Sequence, residues 1–200
     1  KGWHESDHNI SIRGSTMGDV MVITEHMQGE FQDITFEMLG QARTLACGGS
    51  CSALVYGSMK ERASELGAAD RVLCVGGSDD FNPEAYASAA LRVIQSETPA
   101  LVLVGSTSMG IDIGPVLGAS LNLPVVSYCS GIENSGDDFE FTSQLYCGKM
   151  NVNTNASRAV AMVLAGSFQA EAGKSGGSAT VEEVDGDFGP GRVKFRELIE

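Results

Sequence analysis

From Asp19 onward, short and uniformly apolar runs alternate with longer stretches whose apolar residues recur every three or four positions. Val20-Met21-Val22-Ile23, Ser52 to Tyr56, Arg71 to Val75 and Ala100 to Val104 have strand length and few polar residues. The last is the most uniform, as expected of a strand buried on both faces of a parallel sheet, and is assigned to the sheet centre. Between the runs, Ile34 to Ala46 carries Phe36, Leu39 and Leu45 at helical spacing, and Met59 to Leu66 is a short helix closed by Gly67. Pro83 suits the first turn of a helix bearing Ala85, Ala89, Leu91 and Ile94, and Leu117 and Leu121 mark another after Ile113. Strand and helix alternating through connections of this length predict right-handed crossover units. The expected fold is therefore α/β, a three-layer, Rossmann-like, mostly parallel sheet.

The rhythm changes after Pro124. Val125 to Ile132, Phe139 to Cys147, Met150 to Thr154 and Ala159 to Leu164 are four strand-like runs with no helix-length segment between them. They predict extra antiparallel or edge strands in the C-terminal third. Residues 1–18 show neither period and read as a flexible arm, 19–172 as the α/β domain, and the Gly/Ser-rich, then acidic 173–200 as a linker or tail.

Charge narrows the partners. Thirteen Lys+Arg against 26 Asp+Glu give the 200-residue chain a net charge of −13, which repels nucleic acid and anionic lipid. No apolar run reaches bilayer length, and the chain reads as soluble and cytoplasmic, or of the mitochondrial matrix if eukaryotic. The five cysteines are an odd set, with Cys74 and Cys129 inside apolar runs, which points to a reducing compartment. Cys47 and Cys51 lack the two-residue gap of structural zinc and redox motifs.

No catalytic constellation assembles. Histidine occurs only at 4, 8 and 26, and no Gly-x-Ser-x-Gly elbow, P-loop or Gly-x-Gly-x-x-Gly turn directly follows a strand-like run. The segment Gly105-Ser106-Thr107-Ser108-Met109-Gly110 follows the central strand and opens a helix. Two glycines and three hydroxyls there suit a phosphate or nucleotide, as they also suit a plain strand-to-helix turn. Gly105, Ser106, Thr107, Ser108 and Gly110 are thus candidate cofactor contacts. Glu25, with His26, ends the first strand and would line the same crevice or else form a solvated loop. Gly148-Lys149 reads as a hairpin turn.

The order of the motifs brings a family into view. Val22-Ile23-Thr24-Glu25-His26, Val55-Tyr56-Gly57-Ser58, Ala68-Ala69-Asp70-Arg71-Val72 and Gly110-x-Asp112-Ile113-x-Pro115 resemble, in sequence order, the N-terminal domain of the electron transfer flavoprotein alpha subunit. Tyr146-Cys147-Gly148-Lys149-Met150 looks like that family's strand turn, and Arg192-Val193-Lys194-Phe195 like the segment leading to its second domain. The resemblance implies an adenine nucleotide alpha hydrolase-like fold that packs against an electron transfer flavoprotein beta-like subunit. It further implies a flavin dehydrogenase as donor and an FAD bound in the assembly, with most contacts from a C-terminal domain beyond Glu200. Alone, this chain is then expected to hold FAD poorly. Two departures remove positive charge: Val116 follows Pro115 where the family carries Arg, and Val163-Leu164-Ala165 stands in place of Val-Arg-Pro. The rival reading is a stand-alone adenine-nucleotide module resembling universal stress proteins, with AMP on Gly105 to Gly110. Their long glycine pattern is absent here.

Overall fold

A computed structural model describes residues 18–77, 80–174, 177–185, 188, 192–194 and 196–197. The arm expected over 1–18 lies outside them save for Gly18, as does the Gly-Pro-Gly at 189–191. The chain runs β1 (Val20–Ile23), β2 (His26–Met27), β3 (Glu30–Phe31), α1 (Asp33–Leu45), β4 (Cys51–Tyr56), a 3₁₀ helix (Gly57–Glu65) and β5 (Arg71–Val75). It continues α2 (Pro83–Glu97), β6 (Leu101–Gly105), α3 (Gly110–Leu121), β7 (Val125–Ser135), β8 (Asp138–Leu145), β9 (Met150–Ala156), β10 (Ala159–Val163), α4 (Ala170–Gly173) and β11 (Thr180–Val184). The fold is the expected α/β class.

Nine strands form one sheet in the order β11-β5-β4-β1-β6-β10-β7-β8-β9, while β2 and β3 make a separate two-residue hairpin. All pairs from β11 to β7 are parallel, and β8 is antiparallel to both its neighbours. One core gathers Ile34, Met38, Leu39 and Leu45 of α1 and Met59 of the 3₁₀ helix against Val20, Val22, Leu101 and Leu103. The other gathers Tyr86, Ala90 and Ile94 of α2 and Ile113 and Leu117 of α3 against Met21, Ile23, Val102 and Val104. Strands covered on both sides need no polar face, so β1, β4, β6 and β10 are buried at every position.

Three of the four runs after Pro124 form the antiparallel end of the sheet. The fourth, β10, is a correction: it returns to lie parallel between β6 and β7, Ala159 opposite Leu101 and Val163 opposite Gly105. Its five residues are all apolar, the mark of an interior strand rather than an edge. The segment from Gly173 is a second correction, since it supplies β11, which pairs with β5 along its whole length. Arg71 fastens that edge by bonding both Glu97 of α2 and Glu182 of β11. Among the described residues no helix is long and apolar enough to cross a membrane.

Candidate functional site

From β1 the chain leaves for β4 on one side, and from β5 it crosses back to β6 on the other side of β1. The neighbours β1 and β6 are thus the topological switch point, where open α/β sheets form their crevice outside the strand ends. The loop after β1 carries Glu25 and His26, and the loop after β6 is Gly105 to Gly110.

Glu25 is held first by its backbone. The Thr35 hydroxyl in the opening turn of α1 accepts from the Glu25 N–H (2.8 Å) and lies 3.0 Å from its carbonyl oxygen, to which Gln32 N–H donates at 3.0 Å. The side chain, 4% exposed, crosses to the β6 loop. There the Thr107 hydroxyl lies 2.8 Å from each carboxylate oxygen and donates to them, while accepting from the Gly110 N–H at 3.1 Å. One hydroxyl therefore joins the two loops and satisfies a donor at the start of α3. A side chain at Gly105 would strike the Glu25 carboxylate, and one at Gly110 would strike the Gly105 carbonyl, so close approach requires both glycines.

Burial pushes the Glu25 carboxyl above its usual range, opposed by the Thr107 hydroxyl and the Gly105 N–H. Thr107's hydroxyl, which a phosphate would use, is already bonded to a carboxylate. An anion at this loop meets that carboxylate unless Glu25 is protonated or displaced. The geometry does not fit an FAD phosphate with Glu25 in place.

The remaining candidates separate. Ser106 faces β10, its N–H donating to the Val163 carbonyl (2.6 Å) and its hydroxyl to that of Met162 (3.2 Å). Ser108 is exposed on the outer side of the loop. His26 turns away from Glu25 to α2, with Nε2 3.3 Å from the Tyr86 hydroxyl oxygen. Tyr86 in turn stacks on Tyr56 with ring centroids 4.2 Å apart. Lys149 closes a four-residue turn between β8 and β9 in which Tyr146, Cys147 and Gly148 all have positive φ.

One buried acid escapes the sequence reading. Glu37 of α1 accepts from the Gly166 N–H (2.9 Å) and the Phe168 N–H (3.3 Å), tying down the loop after β10. A carboxylate among Ile34, Phe36, Met38 and Leu39 is its signal in the sequence, since a charge on an apolar helix face needs a partner. A second hollow of about 320 Å³ opens at the ends of β4, β5 and β11, lined by Gly57, Cys74 and Gly76 and bridged by a Lys60–Glu183 ion pair of 3.0 Å.

A doubly covered parallel sheet, an internally bonded switch point and antiparallel strands at one end define a Rossmann-like α/β domain. The chain belongs to the electron transfer flavoprotein domain family, whose model it matches over residues 20–188. It is 27% identical over 187 residues to the electron transfer flavoprotein subunit alpha of Bacillus subtilis, covering 90% of this chain and 58% of that protein. It is 35% identical over 118 residues to the subunit alpha of Megasphaera elsdenii, covering 56% and 35% of the two chains. With the acryloyl-CoA reductase electron transfer subunit beta of Anaerotignum propionicum, identity is 30% over 135 residues, 62% of this chain and 37% of that one. The matched part thus spans at most about three fifths of these relatives. The family is the one that the ordered motifs indicate.

Proposed function

We propose that the chain is an alpha-type subunit or domain of an electron transfer flavoprotein. It scaffolds a beta-like subunit, and the assembly passes electrons from a flavin dehydrogenase to an acceptor. FAD belongs to the assembly and is not held by this chain alone, and the compartment is cytoplasmic or its mitochondrial equivalent.

The observation that carries this reading is the Glu25–Thr107 bridge in a member of a flavoprotein family. The crevice that a nucleotide-binding relative would use holds an internal carboxylate, which supports a reading in which FAD and its phosphates are held by other parts of the assembly. Exposed apolar residues add support: Leu145, Tyr146, Met150 and Val152 on the antiparallel end, and Ile111 and Val116 on α3. On this reading Glu25, Gly105, Thr107 and Gly110 shape the crevice wall, with Ser106 and Ser108 at its rim. The stand-alone AMP module has no comparable support.

The test is co-expression with a beta-type subunit followed by size-exclusion chromatography with light scattering. A one-to-one complex is expected. Independent elution of both chains, together with micromolar AMP binding by this chain in calorimetry, would move the assignment to the nucleotide module.

A further inference from the structure

After Gly173 no described residue is buried, whereas β4, two strands further in than β11, is buried at every position. The last part of the chain is therefore held from outside. Glu182 of β11 pairs with Arg71 at 2.9 Å and Glu183 with Lys60 at 3.0 Å, and further on Arg192 pairs with Glu84 of α2 at 2.6 Å. The Val193 carbonyl accepts from Asn82 Nδ2 at 2.6 Å. Phe188 adds an aromatic anchor, standing edge-on to Tyr86 and Tyr56 with centroids 6.1 and 6.4 Å away. Gly77 makes room for it, since a Cβ there would lie 2.5 Å from the Phe188 ring. We infer that β11 with Phe188, Arg192 and Val193 forms a releasable strap, which lifts from β5 and α2 as a unit, uncovers Cys74 and loosens the Tyr86–His26 contact beside the switch point.

The first support is the weakness of the fastenings. Exposed ion pairs contribute little each, and a segment held mainly by them at a sheet edge opens far more often than the domain unfolds. Release also strands no buried charge. Arg71 keeps Glu97 as a partner, Lys60 is half exposed, and the Glu84 carboxylate stays in the first turn of α2, where the helix dipole favours it. The second support is packing. The hollow of about 320 Å³ lies between Glu183 and Val184 of the strap and the 3₁₀ helix, so β11 spans a gap there instead of interlocking with its neighbours.

The third support is contiguity with the crevice. The ring of Tyr86 that meets Phe188 stacks on Tyr56 at 4.2 Å, and its hydroxyl lies 3.3 Å from His26 Nε2, next in sequence to Glu25. Docking of the strap thus steadies the loop after β1, and by reciprocity whatever steadies that loop favours the docked strap. This inference stands apart from the flavin reading, because it concerns the sheet edge of this chain alone.

Site-resolved thiol labelling of the whole native chain tests it. Cys74 lies opposite Glu183 in the β5–β11 register and is 3% exposed. It should react more slowly than the exposed Cys47 and Cys147, yet at least about tenfold faster than Cys51 and Cys129, which only deeper unfolding uncovers. Glu182→Gln and Arg192→Ala should each speed Cys74 about two- to fivefold, and Phe188→Ala about tenfold, with Cys51 and Cys129 unchanged. Raising salt from about 0.05 to 0.5 M should act in the same direction by screening the three pairs. Lys174→Ala, on the α1 layer, should change nothing at Cys74. The second readout is the nuclear magnetic resonance signal of the His26 ring, which should move in Arg192→Ala in step with the Cys74 rate, although Arg192 is bonded to Glu84. A Cys74 as slow as Cys51 in every variant and at every salt would overturn the strap. A faster Cys74 with unmoved His26 signals would overturn its link to the crevice.

Discussion

Thr107→Val replaces the hydroxyl that bridges the switch point with a methyl group of the same shape. Two bonds disappear. The hydroxyl no longer donates to the buried Glu25 carboxylate, and the Gly110 N–H loses its acceptor at the start of α3. A hydrogen bond to a charged group contributes about 1.5–3 kcal/mol, and a helix-capping side chain about 1 kcal/mol. Because Gly105 N–H still faces the carboxylate, the expected loss is about 2–4 kcal/mol, a large share of the roughly 5–15 kcal/mol that stabilises a domain. With a urea dependence of about 2 kcal/mol per molar, the unfolding midpoint should fall by about 1–2 M. Equilibrium urea unfolding followed by circular dichroism reads this directly, with the exposed Ser108→Ala as control. The same substitution in a Glu25→Ala background should cost distinctly less, since its main partner is gone. A loss under about 0.5 kcal/mol, or an equal loss in both backgrounds, would show that the bridge does not hold the loops together.

Glu25 has a folded-state pKa above its unfolded value, so the proton it binds favours the folded state below the unfolded carboxyl value near 4.3, and that benefit fades as pH rises through the folded value. The thermal stability of Glu25→Gln relative to wild type should therefore climb as pH is raised from about 4 toward 7, and a flat or falling difference would contradict the raised value. Gly110→Ala would drive a methyl group into the Gly105 carbonyl, and its soluble yield and melting temperature should drop sharply, well beyond those of Ala119→Gly on the exposed face of α3. Thiol titration should count two fast cysteines, Cys47 and Cys147, in the native protein and five after denaturation. Cys51 and Cys129 resist because burial pushes each thiol up to about 12.

The parallel half of the sheet was readable because runs such as Leu101 to Val104 can be satisfied only between two layers of helix. The position of β10 was not, although its composition matches that of β6. Its place depends on α3 carrying the chain past one vacant slot to β7, a choice made by tertiary packing rather than by local pattern. The strand β11 was hidden by its glutamates. Glu182 and Glu183 look like tail residues until Arg71 of β5 and Lys60 of the 3₁₀ helix, both distant in sequence, are seen to pair with them. At the site, the juxtaposition of Glu25 with Gly105 to Gly110 follows from the rule that crevices open at strand ends, so it could be anticipated. The divergence of Glu25 and His26 could not. It arises because the Glu25 backbone is bonded to Thr35 and Gln32 of one layer, while Tyr86 of the opposite layer lies within reach of the imidazole.

The central claim is that this polypeptide is the protein frame of a flavin assembly and not the flavin's holder. The visible absorption spectrum of the purified chain, recorded alone and again after reconstitution with a beta-type subunit and the C-terminal portion typical of the alpha relatives, tests it most directly. The account predicts a colourless chain and a yellow complex. A lone chain that keeps one equivalent of flavin through gel filtration would contradict it.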